Sequence, residues 1–187
     1  GDYPAVFGWE LGGLETGADR SIDDVPFAEI TRLLCAAYGR GAVNTVSWHP
    51  QNPESGASAW DGKTSTAVSS ILPGGANHAQ FRLWLDRLAG FFVGLKSADG
   101  TCVPVLFRPF HEHTGSGFWW GEAQCTPDEY KALWRFTVEY LRDVKGVHNL
   151  LYVYSPDLYR DAEHYTERYP GDEYVDIIAM DNYNDFR

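Results

Sequence analysis

The sequence predicts an α/β fold of the (β/α)8 TIM-barrel type, present as an incomplete barrel. Three observations predict it. Short, nearly continuous apolar runs alternate with segments whose apolar residues recur at helical spacing, the pattern of a parallel sheet covered on both faces. Polar residues gather just after those runs, at Glu10, His49, Glu112, Asp157 and Asp181. A barrel sets its chemistry at the C-terminal ends of its strands. No glycine-rich phosphate loop opens a helix, a feature more usual in a doubly wound nucleotide-binding sheet.

Residues 4–9 read as a buried strand ending at Glu10, with a turn at Gly12-Gly13. Residues 26–38 set Phe27, Ile30, Leu33, Leu34 and Ala37 on one helical face, and Gly39 and Gly41 stop that helix. A strand over 42–48 follows. The polar stretch 49–77, rich in Gly, Ser, Asn and Pro, reads as one long loop, and loops of that length are functional or disordered. Residues 79–97 form an amphipathic helix through Phe81, Leu85, Leu88, Phe92 and Leu95. A strand over 102–109 comes next. Thr126 caps a helix running to about Lys145, with Pro127 in its first turn and Glu129 three residues after the cap. A strand over 149–154 ends at Ser155-Pro156-Asp157, and a short helix occupies 161–168. A last strand over 174–180 ends at Asp181-Asn182-Tyr183.

Composition bounds the partners. A net charge of −11 and a pI near 4.8 exclude nucleic acid and anionic membrane surfaces, which call for clustered Lys and Arg. No apolar run approaches transmembrane length. The first residue is Gly1, without Met or a signal peptide, so the N-terminus does not report localisation. Cys35, Cys102 and Cys125 show no CxxC or zinc spacing. Cys35 and Cys102 fall where a bridge could join them.

The segment Arg108-Pro-Phe-His-Glu-His-Thr-Gly-Ser-Gly-Phe-Trp-Trp-Gly121 carries the chemistry. A carboxyl beside Phe110, Trp119 and Trp120 is partly desolvated, which raises its pKa and keeps a proton on it near neutral pH. That suits Glu112 as a general acid. An ion pair with Arg108 would act the other way. His111 and His113, with His49 and Asp181, could instead form a zinc site, but the HExxH spacing is absent and two tryptophans follow. His111 reads as a neighbour fixing a carboxylate and His113 as a loop residue. Flat aromatic faces beside an acid suit a sugar, whose C–H face stacks while its hydroxyls are hydrogen-bonded. His49 and Trp60 in the long loop are candidates for sugar binding. Trp119 and Trp120 are candidates for an aromatic wall, or for core. Asp181 and Tyr183 could be a subsite, or a helix cap and an exposed aromatic.

Four segments carry a resemblance: Pro-Ala-Val-Phe-Gly-Trp-Glu, Ser-Trp-His-Pro-Gln-Asn-Pro, the Arg108–Gly121 motif, and Val-Asp-Ile-Ile-Ala-Met-Asp-Asn-Tyr. In this order, over nearly the whole chain, the sequence resembles glycoside hydrolase family 26, chiefly its β-mannanases. The resemblance implies a retaining enzyme on a (β/α)8 barrel that cleaves internal β-1,4-mannosidic bonds of mannan, galactomannan or glucomannan. It implies Glu112 as acid/base, His111 as its neighbour and His49 at the cleavage subsite. Arg108, Asp181 and Tyr183 fall at substrate- or nucleophile-contacting positions, Trp119 and Trp120 at the aromatic wall, and Trp60 in the cleft. No cofactor or metal is implied. The site of action would be extracellular, periplasmic or at the cell surface. Position 113, His here, is often Asn in such relatives.

By this alignment the chain holds about strands two to six of the barrel. Five strands use 187 residues, against about 250 for a complete barrel. Residues 1–187 are thus expected to be a single catalytic-domain segment, inactive alone, that packs on the rest of the same barrel. The nucleophile glutamate would lie beyond residue 187. An exo-acting mannobiohydrolase or a mixed-linkage β-glucanase are alternatives on the same fold, and a non-catalytic glycan-binding barrel is one from another class.

Overall fold

The computed structural model describes residues 3–183. Five strands form one parallel sheet in sequential order: β1 (Val6–Glu10), β2 (Val43–Trp48), β3 (Val105–Pro109), β4 (Leu150–Tyr154) and β5 (Ile177–Ile178). Between them run α1 (Phe27–Gly39), α2 (Ala67–Ile71), α3 (His78–Gly94) and α4 (Pro127–Glu139), with α5 (Ala162–Thr166) before β5.

Sequential parallel strands joined by crossovers of one hand put every helix on the same side of the sheet. The burial alternation agrees. Asn44, Val46 and Trp48 on β2, and Val105 and Phe107 on β3, are buried toward the helices. The opposite face carries Val6, Val43 and Leu151 at 53%, 46% and 42% exposure. This corrects the expectation of a sheet covered on both faces. Among the described residues one face is open, which is the inner face of a barrel wall.

Register sets the site. Glu10 pairs with Ser47 and Ser47 with Arg108, so these three stand in one row across the open face at the strands' C-terminal ends. The helix side is a continuous aromatic core in which Trp48, Phe81, Phe92, Phe107, Phe110 and Trp134 are fully buried or nearly so. Burying each such ring contributes about 1.5–3 kcal/mol.

Three elements differ from the sequence reading. The stretch 49–77 contains α2, whose Ala67, Val68 and Ile71 are buried against the core. The helix from Pro127 changes at Tyr140 into a π-helical turn, Tyr140–Val144. The last strand has only two residues, because Asp172–Tyr174 forms a 3-10 turn first. All three cysteines are free thiols. No helix among the described residues is long and apolar enough to cross a membrane.

At the start of α4 the Thr126 hydroxyl accepts from the Glu129 amide at 3.2 Å, and the Glu129 carboxylate accepts from the Thr126 amide at 2.8 Å. Thr126→Ala removes one arm of this reciprocal cap and is expected to cost about 1 kcal/mol in urea unfolding. An unchanged midpoint would show that the cap adds nothing.

Candidate active site

The β3 strand ends at Pro109, and the chain then turns sharply. Phe110 and Glu112 both take left-handed backbone conformations, at φ 48° and 55°. The turn is bonded on three sides. The Tyr130 hydroxyl donates to the Phe110 carbonyl at 2.8 Å, the Trp120 indole to the His111 carbonyl at 2.8 Å, and the Glu112 amide to the Ser155 carbonyl at 2.8 Å. The turn sends Phe110 and His113 into the core, while His111 and Glu112 line a cleft of about 530 Å³.

Glu112 is the acid of this cleft. Its pKa is raised by burial first, then by the charges of Asp181 and Asp157. A hydrogen bond from the Tyr183 hydroxyl and the charge of Arg108 oppose the rise. Arg108 is itself engaged, since its guanidinium donates to Asp181 Oδ2 at 2.6 Å, and the Ser155 hydroxyl donates to the same oxygen at 2.7 Å. Arg108 is thus paired with Asp181 instead of closing on Glu112.

His49 is fixed from β1. Its Nδ1 lies 2.7 Å from Glu10 Oε2, and its backbone amide donates to Glu10 Oε1 at 2.9 Å. The Ser47 hydroxyl donates to Oε2 at 2.6 Å, and the Gly12 amide also reaches the carboxylate. Burial works to raise the Glu10 pKa, but the bond and charge of His49, with Ser47 and Gly12, hold it below the ordinary value. The His49 ring also meets His111 edge-on at 4.6 Å and stacks on Trp60 at 5.2 Å.

His111 is nearly buried. Its pKa is pushed down to about 2, by burial first and then by the charges of Arg108 and His49, so the ring is neutral. Its Nδ1 has no hydrogen-bond partner in the described structure.

Of the residues read from the sequence, His49, Trp60, Arg108, His111, Glu112 and Tyr183 all line the one cleft. Asp181 stands behind Arg108. Trp119 and Trp120 correct the reading of an aromatic wall. Both are fully buried under the cleft, with their indole N–H groups donating to the carbonyls of Pro50 and His111. Those bonds to backbone hold the rings inward. The aromatic faces in the cleft are instead Trp9, Trp60 and Phe118. His113 also departs from its reading as a loop residue. It is fully buried between Tyr130 and Tyr154, 4.4 and 4.7 Å away, which keeps it from converging with His111 on a metal.

The sequence reading missed the pairing of Glu10 with His49 and the cleft position of Phe118. Glu10 could be found as an acid ending an apolar run, but its partner follows only from strand register. Phe118 gave no signal apart from its neighbours.

A sequence profile of Glycosyl hydrolase family 26 matches residues 1–186. The chain belongs to glycoside hydrolase family 26. It is 42% identical to a mannan endo-1,4-β-mannosidase of Bifidobacterium adolescentis, over 98% of this chain and 19% of that protein. It is 32% identical to a mannan endo-1,4-β-mannosidase of Bacillus subtilis strain 168, over 98% of this chain and 51% of that one. The solved GH26 β-mannanase from Bacteroides ovatus superposes with a TM-score of 0.96 at 45% identity, covering 99% of this chain and 54% of that chain. The chain therefore spans about half or less of the relatives it matches. As expected for the family, the five-stranded sheet is a portion of a (β/α)8 barrel.

The raised pKa of Glu112 has a stability consequence. Folding disfavours its ionised form, so no penalty exists below the unfolded pKa, and stability falls as pH rises from there through the folded pKa. Glu112→Gln is thus expected to match the parent at low pH and to unfold at a higher temperature at pH 7. Identical melting curves across that range would contradict the site's electrostatics.

Proposed function

We propose that this chain supplies the acid/base side of a retaining β-1,4-mannanase acting on internal bonds of mannan, galactomannan or glucomannan. The observation that carries the reading is Glu112, a half-buried carboxyl with a raised pKa in a cleft walled by aromatic rings. The names of the curated relatives support the substrate class and internal cleavage.

In this reading the protonated Glu112 gives its proton to the leaving glycosidic oxygen while a second carboxylate attacks the anomeric carbon. The covalent glycosyl-enzyme is then released by water, whose proton returns to Glu112. The pairing of Arg108 with Asp181 helps keep that proton on Glu112 before the first step. His49, neutral His111 and Tyr183 would surround the sugar at the cleavage point, and Trp60 and Phe118 would take its apolar faces. The attacking carboxylate belongs outside residues 1–187. Glu10 is engaged by His49, Ser47 and backbone amides, and Asp181 by Arg108 and Ser155. Chemistry of this kind uses no cofactor. A polymeric substrate places the enzyme's work outside the cytoplasm.

In the complete enzyme, Glu112→Ala is expected to slow mannan hydrolysis by about 10²–10⁴-fold. Aryl glycosides with good leaving groups should lose less in their first step, and azide should restore the second. Parent-like turnover of mannan would overturn the assignment.

Asp181→Asn removes a charge that raises the Glu112 pKa and frees Arg108 to approach it. A general acid works only while protonated, so the alkaline limb of the kcat/KM profile should move to lower pH. A limb that stays in place would remove Asp181 from the control of this proton.

A further inference from the structure

Beside the cleft lies a second cavity of about 210 Å³. The two share Ile22, His49 and Trp60. Trp60 is 54% exposed, with its indole nearly parallel to the His49 ring at an interplanar angle of 14°. The indole is therefore a partition common to both spaces.

We propose that the cavity beyond Trp60 is a second binding site for a hexopyranose ring joined to the sugar in the cleft. The sugar class rests on the function proposed above; the cavity itself does not.

Size is the first argument. Sites for drug-sized ligands run about 300–1,000 Å³. The cleft falls in that range, and the second cavity has room for about one ring.

Surface chemistry is the second. A pyranose shows an apolar C–H face and a rim of hydroxyls. Trp60 and the half-exposed Ile22 offer apolar surface. The Gln51 side-chain amide lines the cavity and makes no hydrogen bond among the described residues, which leaves two donors and an acceptor for hydroxyls. The one acid in the wall, Glu15, is buried and holds the Gly13 amide, the Trp48 indole and the Gln51 amide nitrogen at 2.9–3.1 Å. Its oxygens are thus spent on the protein, which favours a neutral ligand over an ion.

Shape is the third. The far wall is the run Gly56-Ala57-Ser58-Ala59, with no large side chain to fill the space. Backbone bonds hold that wall in place. The Asn52 amide donates to the Ala57 carbonyl at 2.8 Å, and the Trp119 amide to the Ala59 carbonyl at 3.1 Å. A preformed wall lowers the ordering cost of binding.

The ring could be the next unit of the main chain or a branch carried by the unit in the cleft. The test separates them. In the full-length protein, Ala57→Trp fills the cavity from its rim, and Gln51→Ala removes the amide without adding bulk. The probes are linear β-1,4-mannotriose, linear mannohexaose and a mannopentaose bearing one α-1,6-galactosyl branch.

Ala57→Trp is expected to lower kcat/KM roughly tenfold, about one stacking contact. Gln51→Ala should lower it roughly fivefold, about one hydrogen bond. Losses on mannohexaose with mannotriose spared identify a main-chain ring, and losses confined to the branched probe identify a branch. No loss on any probe, or equal loss on all three, overturns the proposal.

Titration calorimetry of the same probes with Glu112→Gln protein, alone and combined with each variant, reads the cavity without turnover. A parent protein that hydrolyses no β-mannan refutes the mannanase reading. Unchanged or undetectable affinity in the calorimetry refutes the cavity.

Discussion

The backbone turn at Phe110–Glu112 is the constraint on which the site depends. Two non-glycine residues in left-handed conformations cost of order 1–3 kcal/mol each. They persist because the surroundings over-determine them through bonds from α4, from the buried Trp120 and to the end of β4. Without this turn the strand's alternation would continue, and His111 and Glu112 would face opposite sides of the sheet. With it, both reach the same cleft. The tryptophan pair that follows therefore acts on the reaction through main-chain geometry, from beneath, rather than by touching sugar.

Around that turn two carboxylates are given opposite characters. Glu10 accepts several hydrogen bonds and stays ionised. Glu112 is partly desolvated among other acids and favours its proton. Such divergence between neighbouring acids is how one site separates a proton donor from a fixed anion. The row Glu10, Ser47, Arg108 across three strands shows how little folding this takes. Parallel register alone delivers the anion, its hydroxyl partner and the guanidinium to one level of the sheet.

Much of this was legible in the sequence. Each strand announced itself as an apolar run, and each run ended in a polar residue that the fold places at one end of the sheet. Glu112 was legible because an acid sat amid aromatics directly after such a run. Other features were not. The indoles of Trp119 and Trp120 suit either a sugar or a core, and only their bonds to the Pro50 and His111 carbonyls decide. His113 has the same look as His111 in one dimension, yet the turn sends it to the other side. The α2 helix hid in a polar stretch because only Ala67, Val68 and Ile71 mark its buried face. The last strand looked longer than it is, since Asp172–Tyr174 tightens into a 3-10 turn before pairing begins.

The loop after β2 and the loop after β3 are not separate parts. The Trp119 amide and indole bond to Ala59 and Pro50 across the gap, and Phe118 lies 5.5 Å from Trp60 and 5.2 Å from His49. Residues from both loops thus share one small bonded unit. For anyone grafting loops between relatives, this has a practical meaning. A transplanted β2 loop would arrive without the β3 partner that shapes it, so the two should be exchanged as a pair. Natural drift in this family would then be expected to change them together.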